Sequence, residues 1–372
     1  MSNLRILQVI PEIKMGGVER ATLDMVSALR KIYPTTYVAA KRGDLLPVLE
    51  DLGATYFPLS LTTKNPIQMI RNGYCLAQII RDYNIDVIHA RSRAPAWSAL
   101  LAARLTRTPF VTTYHGAYRS TNKLKTFYNS VMARGDRVIA ISDFIYKAIE
   151  HHHPQALSKV SLIREGIDLE EFNPHSVTPY QVELLKKEWR IPPTATLFLV
   201  PGRVSRLKGQ SIFIDAIRRL NNPNIVGVIL GENQENSTYP AEIRHQSEGL
   251  PIRLIPYLPK PKIAYAAADC IVSPSLAEEA FGRITAEAGA MERIIIATNH
   301  GATPELCLPG KTGILVEPGN SRALADAMIQ VMKMSPEDCQ TMEKNARQYI
   351  TDHFSLSRMC ADTINLYKEL AK

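Results

Sequence analysis

Cysteine is scarce and scattered in this chain. The five residues Cys75, Cys270, Cys307, Cys339 and Cys360 include no C-x-x-C pair. Such spacing offers neither a disulfide framework nor a zinc site, and it fits a reducing cytoplasm. No apolar run approaches the roughly 18 residues that cross a bilayer. The opening residues, MSNLRILQVIPEI, lack the apolar h-region and small-residue cleavage site of a secretory leader, and read instead as a first strand. There is no low-complexity tract. His151–His153 are adjacent, but no other metal-ligating motif accompanies them, and they are expected as exposed surface.

What is present is the profile of an ordinary globular protein, with 45% hydrophobic and 22% charged residues. The length of 372 residues suggests about two domains, because single cores seldom grow beyond roughly 250–300 residues. The formal charge of +8 is uneven. Residues 1–175 carry 22 of the 44 basic side chains but only 15 of the 36 acidic ones. A basic half favours a phosphorylated partner or an anionic membrane surface; solubility alone also accounts for it. No nucleic-acid recognition motif occurs, so nucleic acid is not expected as a partner.

Strand-like and helix-like patterns alternate. RILQVI, TYVAA, DVIHA, PFVTTYH and RVIAIS are short apolar runs. VERATLDMVSALRKI carries Val18, Leu23, Val26 and Leu29 at helical spacing. The alternation restarts at TLFLVPGR and continues through helical GQSIFIDAIRRL to VGVILG, RLIPYL, CIVSPS, RIIIAT and GILVEP. The expected fold class is therefore α/β, with two Rossmann-like domains in series, each a parallel sheet with helices on both faces. The first is expected over 1–175 and the second over 176–354. The polar, proline-bearing NPHSVTPYQVELLKKEWRIPPTA is expected as the linker. A final helix in 355–372 is expected to return to the first domain.

Three stretches carry chemistry. In VIPEIKMGGVERATL, Gly16 and Gly17 follow a strand and open a helix. Glycine lets a ligand approach the backbone, and a helix N-terminus offers unpaired N–H groups to an anion. A plain tight turn is the alternative. The motif is not G-x-G-x-x-G, and the second strand ends in Lys41-Arg42 rather than in an acid, so a dinucleotide site is weakly supported. In LVPGRVSRLKGQSIFIDA, a strand ends and Arg203, Arg206 and Lys208 follow. Cations at the carboxyl end of a parallel strand lie where open α/β sheets bind ligands, although solvated loop charges would read the same.

The third stretch is LAEEAFGRITAEAGAM. Glu279 precedes a predicted helix and Glu287 lies inside it. Were both helical, eight residues would separate them by about 12 Å of rise. A retaining glycosidase needs its carboxyls about 5 Å apart, so a hydrolytic dyad is disfavoured. A shared Mg²⁺ is disfavoured for the same reason. The spacing suits one extended ligand gripped at two places, with the helix-start amides near Phe281, Gly282 and Arg283 facing a phosphate. Carboxylates commonly accept hydrogen bonds from vicinal diols. The ligand inferred runs sugar, phosphate, ribose: a nucleotide sugar. Surface charge at a helix start is the alternative.

With these residues in view, the chain resembles the family 4 retaining glycosyltransferases of the GT-B fold. GGVE at Gly16–Glu19, TTYHG at Thr112–Gly116, AISDF at Ala140–Phe144, REGIDLEEF at Arg164–Phe172, GRVSRLKG and EEAFGRITAE follow that family's motif order. HGATPELCLPGKTGILVEPGN closes the domain similarly. The resemblance implies two domains facing across a deep cleft. It also implies a branch that builds bacterial lipopolysaccharide or other envelope glycans. Its residue roles would put Arg203 and Lys208 on the leaving diphosphate, Glu279 on donor-sugar hydroxyls and Glu287 on ribose. His115 would sit at the anomeric centre or the sugar's 6-hydroxyl. Gly16, Gly17, Phe281, Gly282 and Arg283 would also line the donor site. No metal or cofactor is expected, and a UDP-sugar is favoured over GDP- or ADP-sugars. A nucleotide-sugar epimerase and a degenerate donor-binding subunit are the alternatives. Glu165, Glu292 and Ile294 depart from the family pattern, which usually has Asn, Gly and Pro there.

The acceptor is expected at the basic half and lipid-linked, with Arg91 and Arg93 meeting its phosphates. YRSTNKLKTFYNSVMAR sets Arg119, Lys123, Lys125 and Arg134 beside Phe127, Tyr128, Val131 and Met132. That mixture suits a helix lying on an anionic membrane at the inner face of the plasma membrane; an amphipathic helix packed on its own core is an equal reading.

Overall fold

A computed structural model describes residues 4–14, 16–118, 122–232 and 238–371. Its contacts divide the chain into two compact units, one of residues 1–165 with 356–372 and one of residues 166–355.

The first unit alternates β1 (Ile6–Glu12), α1 (Gly17–Arg30), β2 (Tyr37–Lys41), α2 (Leu46–Asp51), β3 (Thr55–Pro58), α3 (Pro66–Asp82), β4 (Val87–Ala90) and α4 (Arg93–Thr106). It continues with β5 (Phe110–Tyr114), α5 (Lys123–Asn129), β6 (Arg137–Ala140), α6 (Asp143–His152) and β7 (Val160–Leu162). The seven strands pair in parallel in the order β3-β2-β1-β4-β5-β6-β7. Strand order reverses between β1 and β4, and open α/β sheets take ligands at the carboxyl ends around such a switch point. The edge strands β3 and β7 were not foreseen, being short and only partly buried.

The second unit holds α7 (Pro179–Glu188), β8 (Thr196–Pro201), α8 (Gln210–Leu220), β9 (Ile225–Glu232), α9 (Thr238–Ser247), β10 (Ile252–Pro256), α10 (Lys262–Ala267) and β11 (Cys270–Ser273). After these come α11 (Arg283–Ala290), β12 (Ile294–Thr298), α12 (Thr303–Leu306), β13 (Ile314–Val316), α13 (Ser321–Lys333) and α14 (Pro336–His353). Its six parallel strands run β10-β9-β8-β11-β12-β13, with the switch between β8 and β11. β11 and β12 are buried along their whole length, as covered parallel strands must be, and this is why CIVS and IIIAT are continuous apolar runs.

The last helix, α15 (Leu356–Leu370), belongs to the first unit. Its Met359, Ile364 and Tyr367 join Leu4, Ile6, Met25, Leu29, Val111 and Ile139 in one core. Gln8 Nε2 donates to the Tyr367 hydroxyl at 3.0 Å.

Two expectations about the middle of the chain are corrected. Residues 166–175 pack with the second unit: Ile167 N–H donates to Phe354 O at 2.8 Å, and the Phe172 ring lies 5.9 Å from that of Tyr265. The stretch expected as a linker holds the helix α7 at its centre. Thr178 and Gln181 form a reciprocal capping box around Pro179, and α7 packs on α10. Trp189 and Ile191 behind it are buried, so local capping and apolar anchors outweighed the polar composition. His153, expected on the surface, is also buried, whereas His151 and His152 are exposed.

Candidate active site

In the second unit the site grows from loops at the carboxyl ends of β8, β11 and β12. After β8 the chain makes a 3-10 turn over Arg206–Lys208 and enters α8 through Gly209, at φ +70. A Cβ at Gly209 would lie 2.0 Å from the Pro274 carbonyl oxygen, so only glycine lets the loop after β11 come this close. The two loops are stitched together, Leu207 O accepting from the N–H groups of Leu276 at 2.8 Å and Ala277 at 3.2 Å.

This stitching brings Lys208 onto Glu279. Lys208 Nζ lies 2.6 Å from Glu279 Oε1, and Ser275 Oγ donates to the same oxygen at 2.7 Å. The loop after β12 supports the arrangement. Thr298 Oγ1 donates to Ser275 O at 3.0 Å, and His300 Nε2 lies 2.9 Å from that oxygen. Ala302 N–H donates to Glu279 O at 2.9 Å.

Phe281 is buried against Phe354, and Gly282, at φ +101, stands at the N-cap of α11. No side-chain hydrogen bond caps α11 at Gly282, and the Thr285 N–H turns back to Gly282 O at 3.0 Å. Inside that helix, Glu287 Oε2 accepts from the buried Tyr265 hydroxyl at 2.7 Å, and Oε1 lies 3.4 Å from Arg283 Nε. Burial, then the Glu287 charge, pushes the Tyr265 hydroxyl pKa well up, keeping it a proton donor.

The three cations after β8 separate. Lys208 joins Glu279. Arg203 is exposed, and no described side chain pairs with it. Arg206 is turned away: its Nη2 donates to both Glu242 oxygens, at 2.6 and 2.8 Å, and its guanidinium lies over Tyr239.

In the first unit, His115 leaves the carboxyl end of β5 and is nearly buried. Its Nδ1 lies 3.6 Å from Glu165 Oε2, while its buried Nε2 has no partner among the described residues. Glu165, where the family pattern has Asn, therefore presents a carboxylate to the histidine. The neighbouring cavity, lined by Arg91, Thr113, His115 and Glu165, is only about 10 Å³, room for at most one water. Beside it lies His89, with Tyr367 Oη at 2.5 Å from Nδ1 and Thr113 Oγ1 at 2.7 Å from Nε2. Gly16 stands at the N-cap of α1, which also lacks a side-chain cap, and nothing lies within 4 Å of a Cβ added at Gly17.

One expected phosphate contact, at Arg91, is corrected, and the other, at half-buried Arg93, is engaged within the first unit. Arg91 is buried, with its Nε donating to Gln8 Oε1 at 3.2 Å. Arg93 is tied to Asn129 at 2.8 Å and lies over the Tyr118 ring. The basic segment after His115 is not one helix: α5 ends at Asn129, and a 3-10 turn over Ser130–Ala133 buries Val131 and Met132. Arg119 lies outside the described residues. Tyr265, Ser275 and His300 were not singled out from sequence. Only Ser275, four residues before Glu279 on the same loop, carried a signal that could have found it.

Residues 15–171 match the family model described as Glycosyltransferase Family 4, and residues 181–349 match Glycosyl transferases group 1. The chain belongs to the GT-B glycosyltransferases. It is similar to a solved glycosyltransferase from Rickettsia africae ESF-5, at 29% identity and a TM-score of 0.93 over 100% of both chains. Anabaena Alr3699/HepE, solved in complex with UDP and glucose, shares the fold at 20% identity and a TM-score of 0.85, over 98% of this chain and 100% of that one. A D-inositol 3-phosphate glycosyltransferase of Corynebacterium urealyticum is 26% identical, the match covering 68% of this glycosyltransferase and 62% of the relative. Both units therefore have counterparts in the family, and the fold is GT-B. Among the described residues no helix is long and apolar enough to cross a membrane.

Proposed function

We propose that this glycosyltransferase moves a sugar from a nucleotide-sugar donor, with retention and without a metal, onto a lipid-linked acceptor of a cell-envelope glycan. The observation that carries the donor half is the second unit's row of Lys208–Glu279, the uncapped start of α11, and Glu287 held by Tyr265 and Arg283. It presents two separate carboxylates with anion-binding groups between them in sequence, as an extended donor requires.

In this reading Glu287 accepts from ribose hydroxyls and Glu279 from sugar hydroxyls. Arg203, Lys208 and the amides at Phe281, Gly282 and Arg283 take the diphosphate. As the glycosidic bond breaks, negative charge grows on the leaving phosphate, and preorganised cations and helix amides stabilise it. Lys208 can exchange part of its contact with Glu279 for that oxygen. His115 is assigned the transferred sugar, offering it the Nε2 that has no protein partner, and Gly16 and Gly17 leave backbone room for a ligand group. In this reading a UDP-sugar is favoured over GDP- and ADP-sugars, and Anabaena Alr3699/HepE, which shares the fold, is solved with UDP. The basic first unit supports an acceptor carried by an anionic membrane at the inner face of the plasma membrane.

The test is incubation with a panel of UDP-, GDP- and ADP-sugars, with and without EDTA. Slow hydrolysis of one donor, unchanged by chelation, is expected. Isomerised nucleotide sugar would indicate an epimerase, and binding without turnover a degenerate subunit. Loss of activity on chelation, restored by Mg²⁺, would overturn the metal-free step.

A further inference from the structure

The first unit carries a face that its own core does not use. On α3, Ile67, Ile70, Arg71 and Tyr74 are all exposed, at the i, i+3, i+4, i+7 spacing of one helix face; Ile67 is 71% exposed. On α5, Leu124 is 83% and Phe127 58% exposed, flanked by the exposed Lys123 and Lys125. α4 joins the two. The Trp97 ring packs 5.2 Å from that of Phe127, and the next residue, Ser98, donates to Met69 O on α3 at 2.9 Å. The starts of α3, α4 and α5 follow the carboxyl ends of β3, β4 and β5. That is the sheet end at which His115 leaves β5.

Apart from the exposed Asp82 at the far end of α3, charge on these segments is positive. No Asp or Glu occurs between Asp51 and Asp82, nor between Asp86 and Asp136, whereas Lys64, Arg71, Lys123 and Lys125 project outward. Large apolar side chains exposed together mark an interaction surface, and mixed with cations they match the interface of an anionic bilayer. A second copy of the chain fits less well. A two-fold contact through this face would set its cations against themselves, with no acid to relieve them.

We propose that the outer face of α3 with α5 is a membrane-docking surface. Ile67, Ile70, Leu124 and Phe127 enter the headgroup boundary, and Lys64, Arg71, Lys123 and Lys125 hold anionic lipid headgroups. The inference rests on the reading that the acceptor is lipid-borne, and it specifies how such an acceptor is reached: the docked face lies at the ligand-binding end of the sheet.

Co-sedimentation of the full chain with vesicles tests it. The wild type binds vesicles containing about one part phosphatidylglycerol in three, binds phosphatidylcholine alone at least about tenfold more weakly, and is released between about 0.05 and 0.5 M NaCl. Ile67→Ser/Leu124→Ser weakens binding about tenfold or more, as does Lys123→Ser/Lys125→Ser, while circular dichroism and donor hydrolysis stay unchanged. Equal binding to neutral and anionic vesicles, variants that bind like the wild type, or a wild-type dimer that Ile67→Ser/Leu124→Ser dissolves would each overturn the proposal. Failure to bind vesicles with donor hydrolysis intact overturns this surface alone. Docking through this face with transfer only to water-soluble acceptors overturns the lipid-borne acceptor and leaves the surface standing.

Discussion

Lys208 and Glu279 share one short contact, Nζ to Oε1 at 2.6 Å, although they lie 71 positions apart. Both side chains are roughly one quarter exposed, so the pair is only partly screened by water. The two proposed functions, phosphate neutralisation and sugar binding, are therefore coupled through one ion pair. Lys208→Ala and Glu279→Ala should each lower kcat/KM about a hundredfold or more, on the order of 3 kcal/mol. The double variant should lose far less than the product of the two, because each single change already breaks the shared contact. Steady-state donor hydrolysis measures this, and strictly multiplicative losses would show that the residues act independently.

Glu287 depends on a partner from another helix. Tyr265→Phe removes the buried donor to Oε2, a hydrogen bond to a charged group worth about 1.5–3 kcal/mol. The expected outcome is a rise of about tenfold or more in donor KM with a smaller change in kcat, shared by Glu287→Ala, since ribose lies away from the breaking bond. Donor titration by calorimetry gives an independent reading. A loss confined to kcat would remove Glu287 from the ribose.

Stability should fall in mild acid. His89 is fully buried, and burial first, then the Arg91 and His115 charges, hold its pKa well below 6.5. The unfolded chain takes up a proton near pH 6.5 that the folded ring refuses. The stabilisation is complete above that pH and declines as pH falls, by at most about 1.4 kcal/mol per unit until the folded pKa is reached. His153, lowered mainly by burial, acts in the same sense. Thermal melts should show a lower Tm at pH 5.5 than at pH 7.5, with a shallower pH slope in His89→Gln whatever its absolute stability. An unchanged slope would exclude His89.

Glu292 occupies a backbone position suited to glycine, φ +51, at the turn after α11. Its compensation is an ion pair with Arg347 at 3.7 Å, worth less than about 1 kcal/mol at a partly exposed site. Glu292→Gly should keep or raise Tm, and Glu292→Val, β-branched in the left-handed region, should cost about 1–2 kcal/mol. Chemical denaturation ranks the three, and Val equal to Glu would show that the turn relaxes freely.

The sequence alone determined the elements and their class. Apolar runs and 3.6-residue periodicity are properties of neighbouring residues, so RILQVI, CIVSPS and the helix after Phe281 were legible, as was the placing of Glu279 in a loop and Glu287 in a helix. Local capping made α7 readable as well, since the Thr178–Gln181 box lies within four residues; its polar composition drew attention away.

Only the tertiary structure decided which charges meet. Arg206 and Lys208 share a three-residue turn, yet one is taken by Glu242 and the other by Glu279. Arg91, equally basic on paper, is buried on Gln8. Such pairings depend on which loops the parallel strand order brings side by side and on whether a glycine lets two backbones approach, as Gly209 does beside Pro274. Side-chain direction over tens of residues is set by packing, and no local pattern encodes it.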